Sequence, residues 1–373
     1  MKPAPLGRPD TPPTRAATTP LSPYFQKIAS RNIPYTLTLE VTRRCNLSCR
    51  HCFSIEAGGR EELSTEEMCD AISQARALGT FTILMTGGEA TGHPDFLDLV
   101  AHARALGMLV HFYTNATLVT PRLARRLADL GVAKVGISLY GAVAGTHDWL
   151  TKEPGSFEKT VRGASLLKEA GVPAYFKMLI NERNYAEFPA MRELAGRLGV
   201  DFKHCINIYE RNNLDRTPTD LRTGTDEETH YWSAFWDVHF EELSEESRKT
   251  RGQAIGCGIG RSDVTITPYG DVLACMTIPI SAGNVRERPL REIWERAPLF
   301  RSLREHREDE VGCSPCQYLS LCTRCPGMGF LENGSIYSAS SLSCNMTMRA
   351  YRTGVDESAP RSRSVPPTLA GTR

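Results

Sequence analysis

Between Pro34 and about Arg211, short runs rich in β-branched and aromatic residues alternate with longer amphipathic stretches. The runs Tyr35–Val41, Phe81–Met85, Leu109–Tyr113, Lys134–Leu139, Ala174–Ile180 and Phe202–Ile208 predict strands. Helical periodicity separates them at Thr65–Leu78, Asp95–Leu106, Pro121–Leu130, Phe157–Ala170 and Tyr185–Leu198. A glycine follows each helical stretch, at positions 79, 107, 131, 171 and 199, where a left-handed residue closes a helix. Six strands alternating with five helices imply parallel βα units in an α/β fold. A further helix is predicted at Glu227–Leu243, with Trp232, Phe235, Trp236 and Phe240 forming a packing stripe. An open doubly wound sheet and a partial barrel share this periodicity, which does not separate them.

The two ends of the chain differ from its middle. Residues 1–34 are rich in Pro, Thr and Arg without periodicity, and residues 351–373 have the same character, so both predict disorder. From about Ala254 the strands shorten, Gly and Pro rise, and seven of the twelve cysteines fall between 257 and 344. So few apolar residues there predict a small domain whose core is supplied partly by metal. The formal net charge is +1, which excludes a bulk basic field for nucleic acid. No apolar run approaches the roughly 20 residues of a membrane helix, and no secretory signal opens the chain. A cytoplasmic location is therefore expected, and in a reducing compartment clustered cysteines point to metal rather than disulfides.

Directly after the first predicted strand the chain reads Thr42-Arg43-Arg44-Cys45-Asn46-Leu47-Ser48-Cys49-Arg50-His51-Cys52-Phe53. Three thiols spaced C-x3-C-x2-C can converge on one four-iron cluster, which normally takes four thiolates. Three ligands leave one iron open to a substrate, unlike a closed structural site. The alternative is a zinc site completed by His51. The second predicted strand ends in Thr86-Gly87-Gly88-Glu89. Two glycines permit close backbone approach to a ligand, and a carboxylate can bind an ammonium group.

The C-x3-C-x2-C triplet, with His51 in the place of the usual aromatic residue, resembles the signature of the radical S-adenosylmethionine (SAM) superfamily. The resemblance implies a partial (βα)6 TIM-type barrel and a [4Fe-4S] cluster on Cys45, Cys49 and Cys52. It also implies that the open iron chelates SAM and that an electron from the cluster releases a 5′-deoxyadenosyl radical. Thr86, Gly87, Gly88 and Glu89 would meet the amino group of SAM; the family's usual next residue, Pro, is here Ala90. Asn115 and Ser138, at the ends of the third and fourth strands, would meet its ribose and carboxylate. Turn capping by Asn115 and a cap or core hydroxyl for Ser138 are the structural alternatives.

The C-terminal spacing is Cys257-x12-Gly270-x4-Cys275, then Cys313-x2-Cys316-x5-Cys322-x2-Cys325, then Cys344. A zinc ribbon is one reading. The arrangement resembles the SPASM domain, the auxiliary-cluster extension of radical SAM enzymes, although the last spacing in the quartet is usually three. By that resemblance Cys257, Cys275 and Cys325 serve one auxiliary [4Fe-4S] cluster, and Cys313, Cys316, Cys322 and Cys344 a second. The implied organisation is an arm at 1–34, a barrel at 35–230, a linker helix and SPASM domain at 231–350, and a tail at 351–373. Cys205 could complete the first auxiliary cluster, but a buried free thiol is the expectation for it and for Cys69.

Family members of this branch imply a ribosomally made peptide or small protein as substrate, modified for example by crosslinking. Side-chain modification of a haem or haem d1 precursor is the alternative, and a non-catalytic metal-binding module a third reading. The missing eighth cysteine disfavours sulfatase maturation. Expected partners are an electron donor such as flavodoxin or ferredoxin and a separate peptide-recognition protein, with no nucleic acid and no membrane. The sequence assigns no catalytic acid or base. Lys177, Tyr209, Glu210 and Arg211, at or near strand ends, are expected to be solvated or structural.

Overall fold

The computed structural model describes residues 22–54, 59–223 and 257–305, and from there to residue 348 residues 313, 316, 322, 324–345, 347 and 348. The helix predicted at Glu227–Leu243 and its aromatic stripe lie outside the described residues.

The six predicted strands are present as β1 (Thr36–Thr42), β2 (Thr82–Gly87), β3 (Leu109–Thr114), β4 (Lys134–Leu139), β5 (Ala174–Leu179) and β6 (Asp201–Cys205). Between them run α2 (Thr65–Ala77), α3 (Phe96–Ala105), α4 (Pro121–Asp129), α6 (Ser156–Glu169) and α7 (Phe188–Leu198), with an additional short helix, α5 (Ala144–Thr151), before α6. Ser64 and Glu67 form a reciprocal capping box at the start of α2. The five glycines that close the predicted helices all have positive φ, from 58° to 104°.

Strand order decides between the two α/β architectures. The parallel strands follow one another in space as they do in sequence, β1 to β6, without the reversal that defines a doubly wound sheet. Right-handed crossovers then place every helix on one face, as in a partial barrel. Leu37, Leu39, Ile83, Met85, Val110, Phe112, Val135, Ile137, Phe176 and Met178 belong to the buried core. The alternate positions, including Thr86, His111, Tyr113, Lys134, Ser138, Tyr175, Lys177, Lys203 and Cys205, form the inner wall.

Two expectations are corrected. The arm predicted to be disordered through residue 34 contains α1 (Ser22–Ser30), which buries Ile28 to 5% exposure. The segment after it is held by the indole N–H of Trp294, which donates to the Asn32 carbonyl at 2.7 Å. Nor is the C-terminal region short of apolar core residues. Strand β7 (Asp263–Ile266) pairs in parallel with β1, and β8 (Asp271–Cys275) and β9 (Ile278–Asn284) continue the same nine-stranded sheet as antiparallel hairpins. Val264, Ile266, Val272, Ile278, Trp294 and Phe300 join the barrel's own apolar cluster. The helices Leu290–Arg296 (α8), Pro298–Glu305 (α9) and Pro326–Asn333 (α10) complete the region. Among the described residues no helix is long and apolar enough to cross a membrane.

Candidate functional site

The three-cysteine loop leaves the C-terminal end of β1, where barrels of this type carry chemistry, and is pinned from several sides. Glu62 accepts from Thr42 Oγ1 at 2.9 Å and from the Arg43 amide at 2.7 Å, while Arg43 pairs with the buried Glu40 at 2.6 Å. The Arg50 amide donates to the Leu150 carbonyl at 2.8 Å, and its guanidinium lies 4.3 Å from the Trp149 ring centroid. Cys45, Cys49 and Cys52 are thereby held within one another's electrostatic field. Burial is the first cause that raises each thiol above its ordinary range. Mutual repulsion adds to it for Cys45 and Cys49, and the Glu89 carboxylate adds to it for Cys45. Thiols crowded and buried in this way ionise together only when a cation shares them, so the donor set fits a metal cluster.

His51 does not complete the set. Its ring is turned to the barrel wall, edge-on to Tyr140 with centroids 4.5 Å apart, and its Nδ1 is buried without a hydrogen-bond partner. Burial, then the charge of Lys177, pulls it down to about 3, so it is neutral at physiological pH. Among the described residues no three His, Cys, Asp or Glu side chains converge as a single metal ion requires.

The end of β2 fits against the cysteine loop. A Cβ on Gly87 would lie 2.2 Å from the Thr42 carbonyl oxygen, and one on Gly88 2.2 Å from that of Arg44. The two glycines therefore admit the loop's own backbone. Glu89 is 2% exposed, and its carboxylate accepts from Thr91 N at 3.1 Å, Thr91 Oγ1 at 2.5 Å, Thr114 Oγ1 at 2.7 Å and Asn115 N at 2.7 Å. Burial raises its pKa while these four donors oppose the rise. This carboxylate ties the ends of β2 and β3 together.

Asn115 both caps a turn and reaches the cysteine loop. Its Oδ1 accepts from Thr117 N at 2.9 Å, and its Nδ2 donates to Asn46 Oδ1 at 2.9 Å. Asn46, between the first two cysteines, donates in turn to Thr117 Oγ1 at 2.8 Å. The Ser138 hydroxyl is hydrogen-bonded to the Tyr140 phenol and sits in register with Lys177, and Thr86 lies on the inner wall of β2 opposite Glu40.

The C-terminal thiols fall into two groups. Burial, then the charges of Cys275, Cys325 and Asp263, pushes Cys257 up to about 12. Burial, then the charges of Cys322, Cys313 and Cys316, pushes Cys344 up to about 11. Cys257 thus shares its surroundings with Cys275 and Cys325, and Cys344 with Cys313, Cys316 and Cys322. Cys205 departs from the expectation of a fully buried thiol: its surface is exposed on the inner wall of β6, beside Lys177, although desolvation is the first cause that raises it. Cys69 is half-buried on α2.

Lys177 is a second correction. Instead of reaching solvent it lies on the inner wall with Nζ 3.2 Å from the Tyr113 ring centroid, and burial pulls it down to about 8. A Cβ on Gly136, between them on β4, would come within 2.7 Å of Tyr113 and 2.9 Å of Lys177, so only glycine lets this pair meet. Lys134 and Lys203 flank the Tyr175 ring at 5.1 and 5.2 Å. With Arg192 and Asp201 these three residues line a cavity of about 330 Å³. Glu210 is structural as expected, buried and paired with Arg222 at 3.3 Å, and Arg211 pairs with Asp215 at 2.8 Å. Tyr209 packs edge-on to Phe53, centroids 6.0 Å apart, within the field of Cys325, Cys205 and Cys275. The sequence reasoning missed Asn46, Tyr140, Lys134 and Lys203; the lysines were visible as alternate positions on β4 and β6.

The family model of the radical SAM superfamily matches residues 39–195, and that of an iron–sulfur cluster-binding (SPASM) domain matches residues 257–326. An AdoMet-dependent heme synthase of Methanosarcina barkeri is 31% identical over 335 residues, which is 82% of this chain and 95% of the relative. The chain belongs to the radical SAM superfamily. This radical SAM enzyme is also 32% identical over 305 residues to the mycofactocin maturase MftC of Mycobacterium tuberculosis, covering 78% of this chain and 77% of that one. Its fold matches that of Streptococcus suis SuiB, solved bound to the precursor peptide SuiA, with a TM-score of 0.65 at 17% identity, over 86% of this chain and 79% of that one.

Proposed function

We propose that this enzyme binds SAM at a [4Fe-4S] cluster on Cys45, Cys49 and Cys52 and abstracts hydrogen from a carboxylate-rich substrate, with a tetrapyrrole side chain as the first reading. When bound, the cluster and SAM supply the reductive cleavage that yields a 5′-deoxyadenosyl radical, with the electron drawn from a flavodoxin- or ferredoxin-type donor. Two auxiliary clusters, on Cys257, Cys275 and Cys325 and on Cys313, Cys316, Cys322 and Cys344, belong to the same reading. Thr86, Gly87, Gly88 and Glu89 shape the loop around SAM, while Asn115, Ser138 and His51 line its approach.

One observation carries the substrate class. On the inner wall Lys177 stands in register with Lys203, and the one carboxylate from β3 to β6, Asp201, is 3.6 Å from Lys134 at the start of β4, so it does not neutralise Lys177. An uncompensated buried ammonium such as Lys177 is costly unless an anion joins it. Propionate groups of a tetrapyrrole meet that need, and the 95% coverage of a heme synthase supports the reading. A peptide is the second reading, favoured by the likeness to MftC and to the fold of peptide-bound SuiB.

The test is anaerobic turnover of reconstituted enzyme with SAM, dithionite and Fe-coproporphyrin III, a tetracarboxylate porphyrin, followed by mass spectrometry. Product formed together with 5′-deoxyadenosine is expected. Porphyrin left unchanged, with a mass shift instead in a short peptide encoded beside the gene, selects the second reading. Lys177→Met is expected to lower kcat/KM about 10–100-fold through KM, the loss of one charge-assisted bond, without slowing substrate-free SAM cleavage. Lys177 faces Tyr113, Ser138, His51, Lys203 and Cys205. Its proton leaves as pH rises through about 8, so kcat/KM falls across that range in the wild type and stays flat there in Lys177→Met.

A further inference from the structure

The thiols of Cys257, Cys275 and Cys325 make three ligands where a four-iron cluster normally takes four. Two independent lines of geometry bring one further anionic side chain to them. The antiparallel ladder pairs Thr265 with Leu273 and Ile266 with Val272, so Asp263 and Cys275 stand opposite each other on one face of the hairpin. The short loop before β7 folds back on itself: the amide of Asp263 donates to the Gly258 carbonyl at 3.0 Å. A Cβ on Gly258 would lie 1.6 Å from Asp263 Oδ2, so only glycine beside Cys257 leaves room for this carboxylate. Asp263 is thus fixed between Cys257, through the loop, and Cys275, across the ladder.

We infer that Asp263 supplies the fourth protein ligand of the auxiliary cluster held by Cys257, Cys275 and Cys325. Its carboxylate is oriented by the Ser262 hydroxyl at 2.9 Å and by the side chain of Thr36, its neighbour in register on β1. A carboxylate has about four lone-pair positions, so two donors leave capacity for an iron. Oriented ligands of this kind are the usual outer support of a metal site. Two other side chains stand near. Tyr209 shares the field of Cys275 and Cys325 but hydrogen-bonds to Asn207, and Cys205 stands beside Lys177 of the neighbouring strand. The assignment rests on the auxiliary-cluster reading above.

The test uses full-length protein reconstituted anaerobically with ⁵⁷Fe, in a background where Cys45, Cys49 and Cys52 are alanine. Iron content, Mössbauer and EPR spectra are recorded before and after mild oxidation. Asp263→Asn is expected to lose one iron per chain on oxidation and to show a three-iron signal, whereas wild-type Asp263 and Asp263→Cys lose none. Asp263→Cys, which keeps an anionic ligand if Asp263→Asn folds poorly, is expected to shift the EPR g values and lower the midpoint potential, because thiolate donates more charge than carboxylate. Tyr209→Phe and Cys205→Ala are expected to change neither. Identical iron content and spectra in wild type, Asp263→Asn and Asp263→Cys overturn the assignment, as does transfer of the iron loss to Tyr209→Phe or Cys205→Ala. Absence of auxiliary iron from the wild type overturns the assignment and the cluster reading together, which distinguishes the two failures.

Discussion

Replacing Cys45, Cys49 and Cys52 together by alanine abolishes 5′-deoxyadenosine formation and removes about a third of the iron of the reconstituted enzyme, about four of some twelve atoms at four per cluster. The thiols of the cysteine loop stand apart from the C-terminal ones, so the auxiliary iron stays when they are lost. Burial and mutual repulsion keep these thiols protonated and neutral at pH 7 in the metal-free protein, so alanine removes no charge there, and the apoprotein is expected to unfold close to the temperature of wild-type apoprotein. Measured iron, acid-labile sulfide and 5′-deoxyadenosine settle the matter. Loss of all iron from the triple variant, or SAM cleavage that persists without the three thiols, contradicts the placement.

Much of this arrangement is legible in the sequence because it is local. Strands β1 to β6 and their helices announce themselves by period and by closing glycines, and the three thiol sets by spacing. What sequence periodicity cannot carry is the order of strands in space, which alone separates a partial barrel from a doubly wound sheet. The role of Lys177 was hidden for the same reason. A lysine at a strand end is ordinarily solvated, and only the packing of Tyr113 against it over Gly136 reveals a buried cation. The C-terminal segment read as poor in apolar residues because its core is borrowed: β7 pairs with β1 and places Val264 and Ile266 in the barrel's own interior. Cys205 looked like a buried thiol by residue type, whereas its register opposite Leu179 sets it on the open inner wall.

Glu89→Ala is expected to impair both stability and SAM cleavage, through the same contacts. The substitution strands the backbone amides of Thr91 and Asn115, which cannot turn elsewhere, while the hydroxyls of Thr91 and Thr114 can rotate to other partners. Each orphaned amide costs about 1–3 kcal/mol, so the pair lowers Tm by roughly 3–8 °C for a chain of this size. The Asn115 amide fixes the turn whose side chain reaches Asn46, between Cys45 and Cys49, so the cysteine loop loosens with it. Glu89→Gln retains an acceptor at Oε1 but turns an amide N–H₂ toward Asn115 N at the 2.7 Å Oε2 contact, and is expected to fall between wild type and Glu89→Ala. The measurement pairs thermal unfolding of cluster-loaded protein with SAM affinity and 5′-deoxyadenosine rate. Glu89→Ala with wild-type Tm contradicts the tying role. Weakened SAM binding at unchanged Tm, in both variants alike, would instead assign the carboxylate to SAM directly.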